Sequence, residues 1–202
     1  MDYRHTKIPF LQEDCINEFG QETGTKIYEL SCELFASMAA EADFRNNKSI
    51  KEHIVSNILP TIAYYLTLQN CGYSKEDAYN FALKENQKAA NIQKVKNETM
   101  GKLPFAYQIF KLFIKSIMKN MYPTEGWETQ WIRFDNKEIH LNFTRCIYVE
   151  LTAHYACPEL CTVFCKNDPV VFSGYEPKIQ FKRNGTLAEG ASCCDFHYTP
   201  GR

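Results

Sequence analysis

Nine cysteines are spread unevenly along 202 residues. Cys15, Cys32 and Cys71 lie far apart in the first half, whereas Cys146, Cys157, Cys161, Cys165, Cys193 and Cys194 crowd the last third. An ionised thiol is both a nucleophile and a soft-metal ligand, so the last third is where chemistry is expected. Cys157, Cys161 and Cys165 recur at steps of four. On a helix each such step advances about 40° beyond a full turn, which leaves all three on one flank. That flank could contribute to a soft-metal site. The spacing is not that of paired zinc ligands, however, and three successive turns reach too far along the axis for one ion. Two or more of these thiols packing as small buried hydrophobes is the plainer account.

Asp168 follows Cys165 by three positions, so a continuing helix would put thiol and carboxylate on one face. A carboxylate raises the pKa of a neighbouring thiol. Asp168 therefore suits a base for water, a binder of a substrate amine or a helix-end group better than an activator of sulfur. Cys194, Asp195, Phe196 and His197 alternate as a strand: Cys194 and Phe196 face one way, Asp195 and His197 the other. One face would then present acid and imidazole together, without Cys194. His197 alone is more often an ordinary structural or exposed histidine. Cys146 stands at an expected helix start beside Arg145, where the dipole and free N–H groups favour a thiolate. By this reasoning it is the best placed reactive cysteine, although a thiol packed between helix and sheet explains it equally well.

Helices and strands must bring these groups together. Residues 1–20 read as a loose arm or short helix. From Gly24 an apolar period of three and four runs through Ile27, Leu30, Leu34, Phe35 and Met38. A second helix is expected from Ser49, with Glu52 completing a capping box, and Pro60 should kink or break it. Gly72 is its stop. Ser74 and Asp77 open a third helix running to about Lys94; a fourth starts near Pro104, with Phe110, Ile114, Ile117 and Met121 as its core stripe. After Gly126 the period becomes two. Residues 127–134 and 139–143 read as a hairpin around Asp135, Asn136 and Lys137. Thr144 should cap a helix to about Tyr155, and Pro158 should open another to about Asn167. Strands at 177–183 and from Cys194 onward close the chain.

The expected fold is α+β: an N-terminal helical layer packed with a C-terminal antiparallel sheet in the order hairpin, two helices, hairpin. No Pro-, Gly- or Ser-rich linker interrupts it, so 1–202 reads as a single domain. It comprises a loose arm at 1–20, a helical part at 21–122 and an α+β part at 123–202 that holds the site. Hydrophobic residues make up 45% and the formal net charge is −1. Neither disorder nor attraction to nucleic acid is indicated. No stretch approaches the roughly 20 apolar residues of a membrane span, and the first residues lack an apolar signal core. A cytoplasmic protein with free thiols, no nucleic-acid or membrane partner, a small-molecule substrate and room for a homo-oligomer is expected.

A family resemblance rests on ordered motifs. They run Asn142–Cys146, Cys157–Leu160, Phe164–Asp168, Thr186–Gly190 and Cys194–Phe196, preceded by Leu59–Tyr64 and Gly72–Ala78. Together these resemble the L-2-amino-thiazoline-4-carboxylic acid hydrolase family over most of the chain after about residue 25. The matching positions are Cys146, Cys165, Asp168, Gly190, Cys194 and Asp195; Cys157, Cys161 and Cys193 are extras. The order of elements is also similar to small-molecule-binding domains of the 4-vinyl reductase type, an analogy of fold alone. The hydrolase resemblance implies ring opening of a cyclic C=N compound to a carbamoyl-cysteine. It implies Asp168 or Asp195 for proton transfer, with Cys146, Cys165 and Cys194 as nucleophile candidates or as ligands to a single divalent metal such as Zn. Arg145 and His197 are the expected substrate-binding groups. The alternative is a non-enzymatic small-molecule or metal-binding module.

Overall fold

The computed structural model describes every residue, and contacts divide the chain into two compact units, Met1–Ala89 and Ala90–Arg202. The first unit is helical. It contains α1 (Leu11–Phe19), α2 (Gln21–Glu41), α3 (Lys48–His53), a π-helical turn (Ile54–Ile58), α4 (Leu59–Asn70) and the start of α5 (Lys75–Gly101). Ile27, Phe35 and Met38 of the α2 stripe are buried, while Leu30 faces outward. The expected capping box at Ser49 is replaced by a cap two residues earlier. The Asn47 carboxamide oxygen accepts from the amides of Ser49 and Ile50 at 2.9 and 3.2 Å, which satisfies orphan donors of the first turn.

Pro60 perturbs the helix without ending it: a π-helical turn precedes it and helical structure continues from Lys48 to Asn70, and the perturbation has a use. Proline has no N–H to offer the carbonyl four residues back. That carbonyl, on Ser56, accepts instead from the amide of Lys7 at 2.7 Å. The N-terminal segment is thereby pinned rather than loose: Tyr3 is fully buried between Tyr28 and Phe35, and its hydroxyl donates to the Pro60 carbonyl at 3.0 Å. Gly72 has φ +94° and ends α4, as its sequence position suggests. Ser74 caps α5 by accepting from the Asp77 amide at 3.0 Å.

The second unit carries the sheet. After α6 (Ala106–Met121) come β1 (Trp127–Phe134), β2 (Ile139–Cys146), α7 (Ile147–His154), a 3-10 turn (Pro158–Leu160), α8 (Cys161–Cys165) and α9 (Asn167–Ser173). β3 (Ile179–Lys182), a 3-10 turn (Leu187–Glu189) and β4 (Cys194–Pro200) follow. The four strands are antiparallel in the order β1-β2-β4-β3. The chain is therefore α+β, with a helical N-terminal part preceding the C-terminal sheet. Asp135 builds the first turn by accepting from the amides of Lys137 and Glu138 at 2.7 and 2.9 Å. Alternation along β2 and β4 gives the sheet two faces. Ile139, Leu141, Phe143, Cys194, Phe196 and Tyr198 are buried on one; His140, Asn142, Asp195 and His197 are half-buried on the other.

Two local expectations change here. β2 runs on to Cys146, so Cys146 rather than Thr144 is the N-cap of α7. The helix expected through Asn167 is broken after Cys165, and a new one begins at Asn167. Pro169, which lacks an N–H, leaves the Cys165 carbonyl without its helical donor. The Arg183 guanidinium fills that place at 3.0 Å.

Candidate active site

Backbone geometry makes the first thiol unusual. Cys146 is the N-cap residue of α7 and makes no side-chain capping hydrogen bond there, although the backbone N–H groups of Tyr148 and Val149 and the Trp127 indole act to lower its pKa. Burial still dominates and pushes the thiol up to about 11, opposed by those donors, with the Cys165 charge adding to the rise. Cys194, inward-facing on β4, is pushed up to about 12 by burial, against one donor: the Leu187 amide reaches its sulfur at 3.2 Å. Cys146 and Cys165 both act electrostatically on it.

Cys165 differs in sign. The S–H of Cys161, one helical turn back, donates to it and holds it below the ordinary thiol value. Burial and Asp168 oppose this, while the Arg183 charge and the Thr186 hydroxyl assist. Cys161 is correspondingly pushed far upward as the proton-holding member of the pair. Burial thus raises Cys146, the thiol favoured by its sequence position, whereas Cys165 is lowered within its pair with Cys161.

Asp168 opens α9 and is ion-paired with Arg183, whose side chain is only 11% exposed. Burial raises the Asp168 carboxyl to about 6 against the pull of that guanidinium. The carboxylate is densely surrounded, yet 32% of its side chain meets water. Its charge is felt by the buried hydroxyls of Tyr122 and Tyr198, both pushed upward mainly by burial, and Tyr175 acts on both. The aromatic packing is continuous: Tyr122 packs on Trp127 and Phe143, Trp127 on Tyr148, Tyr148 on Phe164. Two depressions in the other unit, lined by Pro9, Phe10 and Ile16 and by Met1, His5 and Val55, hold no comparable cluster.

Cys146, Cys165 and Cys194 therefore fall within one another's electrostatic reach, and Asp168 acts on Cys165. Asp195 and His197 do not join them. Asp195 turns to the other face, where it accepts from the Asn184 and Gly185 amides at 3.0 and 2.9 Å. His197 packs there against Glu138, with 2.8 Å between Nδ1 and Oε1. Arg145 is held locally: it donates to Glu150 at 2.6 Å and to the carbonyls of Thr124 and Glu125. The cation that the site does hold, Arg183, was not anticipated, nor were Thr186, Trp127 and the tyrosines. The legible signal for Arg183 was Asp168-Pro169, which frees a carbonyl and needs a donor. Of the three extra cysteines, Cys161 joins the site, Cys157 is buried at the start of the 3-10 turn and Cys193 is half-buried.

The family model for L-2-amino-thiazoline-4-carboxylic acid hydrolase matches residues 51–198. The match takes in β1 to β3, most of β4 and every residue of the thiol cluster, and the chain belongs to that family. No curated protein and no solved structure matches the chain.

Proposed function

From membership in that family we propose that the chain hydrolyses a small cyclic C=N/C–S compound such as 2-amino-thiazoline-4-carboxylate, and that Cys165 and Asp168 carry the chemistry. The observation that supports this reading is the opposite sign of the two perturbations. One thiol is held low and a neighbouring carboxyl is held near neutrality, a pairing suited to a nucleophile and a proton-transfer group.

The reaction runs in two steps. The Cys165 thiolate adds to ring C2 while protonated Asp168 gives its proton to the ring nitrogen. The C2–S bond breaks, the ring sulfur leaves as a thiolate and takes, through solvent, the proton that the 2-amino nitrogen loses, and the substrate stays attached through Cys165 as a neutral isothiourea. Water then adds to the same carbon and gives its proton to the Asp168 carboxylate. The bond to Cys165 breaks, releasing carbamoyl-cysteine and the thiolate. Amide N–H groups at the start of α7 and the hydroxyls of Tyr122 and Tyr198 make the surroundings of the thiols and Asp168 polar. When Asp168 is protonated, the Arg183 charge is uncompensated, and we assign it the substrate carboxylate.

The second reading expected from the sequence, with Cys146, Cys165 and Cys194 as ligands to one divalent metal such as Zn, is not favoured by the geometry, since the ligand atoms that lie within 4.8 Å of one another belong to Glu138, His140 and His197 instead. The test is incubation of purified protein with the thiazoline acid, with and without chelator, following carbamoyl-cysteine by mass. Turnover indifferent to chelator is expected. Turnover abolished by chelator supports the metal reading, and binding without turnover supports a non-enzymatic module. We place the protein in a reducing compartment, consistent with nine free cysteines; no helix is long and apolar enough to cross a membrane.

A further inference from the structure

The outer face of the sheet carries a second cluster that the ring-opening chemistry leaves unused. His140 on β2 and His197 on β4 are cross-strand partners, and their rings stack at 3.8 Å. Glu138, at the mouth of the first turn, reaches the same spot, and one ligand atom from each of the three lies within 4.8 Å of the others. The rings are anchored from behind in the same sense. His140 Nε2 meets the Asn142 side-chain oxygen at 3.0 Å, and His197 Nε2 lies 3.3 Å from an Asp195 oxygen. The nitrogen this leaves to each ring for a ligand is Nδ1, and that of His197 already faces Glu138 at 2.8 Å. Metal-binding histidines are held in this way, with the second ring nitrogen on a carboxylate or an amide oxygen.

We propose that Glu138, His140 and His197 form a binding site for a late first-row divalent cation, Zn²⁺ or Co²⁺, separate from the thiol cluster on the inner face. Bonds of about 2.0–2.2 Å would set tetrahedral ligand atoms about 3.4 Å apart, so the 2.8 Å contact opens slightly and the wider ones close. Two imidazoles and a carboxylate suit such ions better than calcium or magnesium. Three protein ligands leave a fourth position for water. Local charge favours the ion: Glu138, Asp195 and Asp135 outweigh Arg133, which binds Glu138 at 3.2 Å and Asp135 at 2.8 Å, and Lys182, opposite His197 on β3. All three ligands are half-buried, so solvent gives the ion a path in.

Titration of the full chain with Co²⁺ under reducing conditions tests this site. Saturation at a single equivalent is expected, with weak d–d absorption and no thiolate charge-transfer band. H140A and H197A should abolish that spectrum, and C165S should leave it unchanged. Asp195→Asn should weaken binding about tenfold or more. E138Q, which keeps side-chain volume, guards against misfolding in the histidine variants and should also lose the ion. Thermal unfolding of the wild type should shift upward with Co²⁺ and that of E138Q should not. A thiolate band that disappears in C165S, binding unchanged in H140A and E138Q, or no binding at all would overturn the proposal.

Discussion

Asp168 is where a single residue ties stability to chemistry. Its carboxyl is raised from 3.8 to about 6, so the folded chain binds a proton more tightly than the unfolded chain does. Its contribution to stability is then full below about pH 4 and lost as pH rises through about 6. The difference is on the order of 2–3 kcal/mol. Chemical denaturation of wild type and Asp168→Asn between pH 4 and 7 should show this downward slope in the wild type and a shallower one in the variant. A slope of the opposite sign would mean that Arg183 governs the carboxyl rather than burial. The first step needs the protonated acid, so the rate of that step should fall above about pH 6 in the same way. Thiols differ as sharply. With a limiting alkylating reagent at neutral pH, peptide mapping should find Cys165 labelled well before Cys146 and Cys194, which burial holds up at about 11 and about 12. Prior labelling of Cys146 would contradict the ranking. From the sequence, a helix start beside an arginine pointed to Cys146, because dipole arguments count donors but not desolvation. That Cys161 and Cys165 share one flank followed from their spacing of four, but the pairing of their thiols was not legible.

Elements were more readable than contacts. Period-two alternation located the first hairpin, and β4 fell where Cys194, Phe196 and Tyr198 alternate. Helix ends were harder, since they depend on which side chain reaches which orphan group. Prolines are the clearest case. Pro60 and Pro169 each strip a carbonyl of its helical donor, and in each case a distant group, the Lys7 amide or the Arg183 guanidinium, takes the place. Sequence gives the vacancy but not its occupant. Close approach of helices is similarly invisible until built. A Cβ on Gly24 of α2 would lie 2.3 Å from the Cys15 carbonyl oxygen and 2.7 Å from the Ile16 Cα of α1. Backbone cannot yield as a side chain can, so Gly24→Ala should cost at least about 1–3 kcal/mol. Denaturant titration that finds Gly24→Ala as stable as wild type would show that α1 and α2 separate freely.

At the scale of the whole chain, the α+β order was legible because helical and strand periods occupy different stretches. The two compact units, divided within α5 at Ala89, were not. α5 runs 27 residues without a composition change that would mark a boundary. Cysteine usage is the chain-wide property that most constrains the chemistry. All nine are free, so thiol titration in denaturant after anaerobic purification should count nine per chain. A native bridge in non-reducing mass spectra would remove a thiol from the account. The central claim concerns only one of them. Rapid-quench intact mass spectrometry of the wild-type protein with 2-amino-thiazoline-4-carboxylate, sampled before the first turnover is complete, tests it. An added mass equal to the whole substrate, mapped to the Cys165 peptide and missing in Cys165→Ser along with turnover, is the predicted result. Undiminished turnover in Cys165→Ser, with no adduct in either protein, would contradict it.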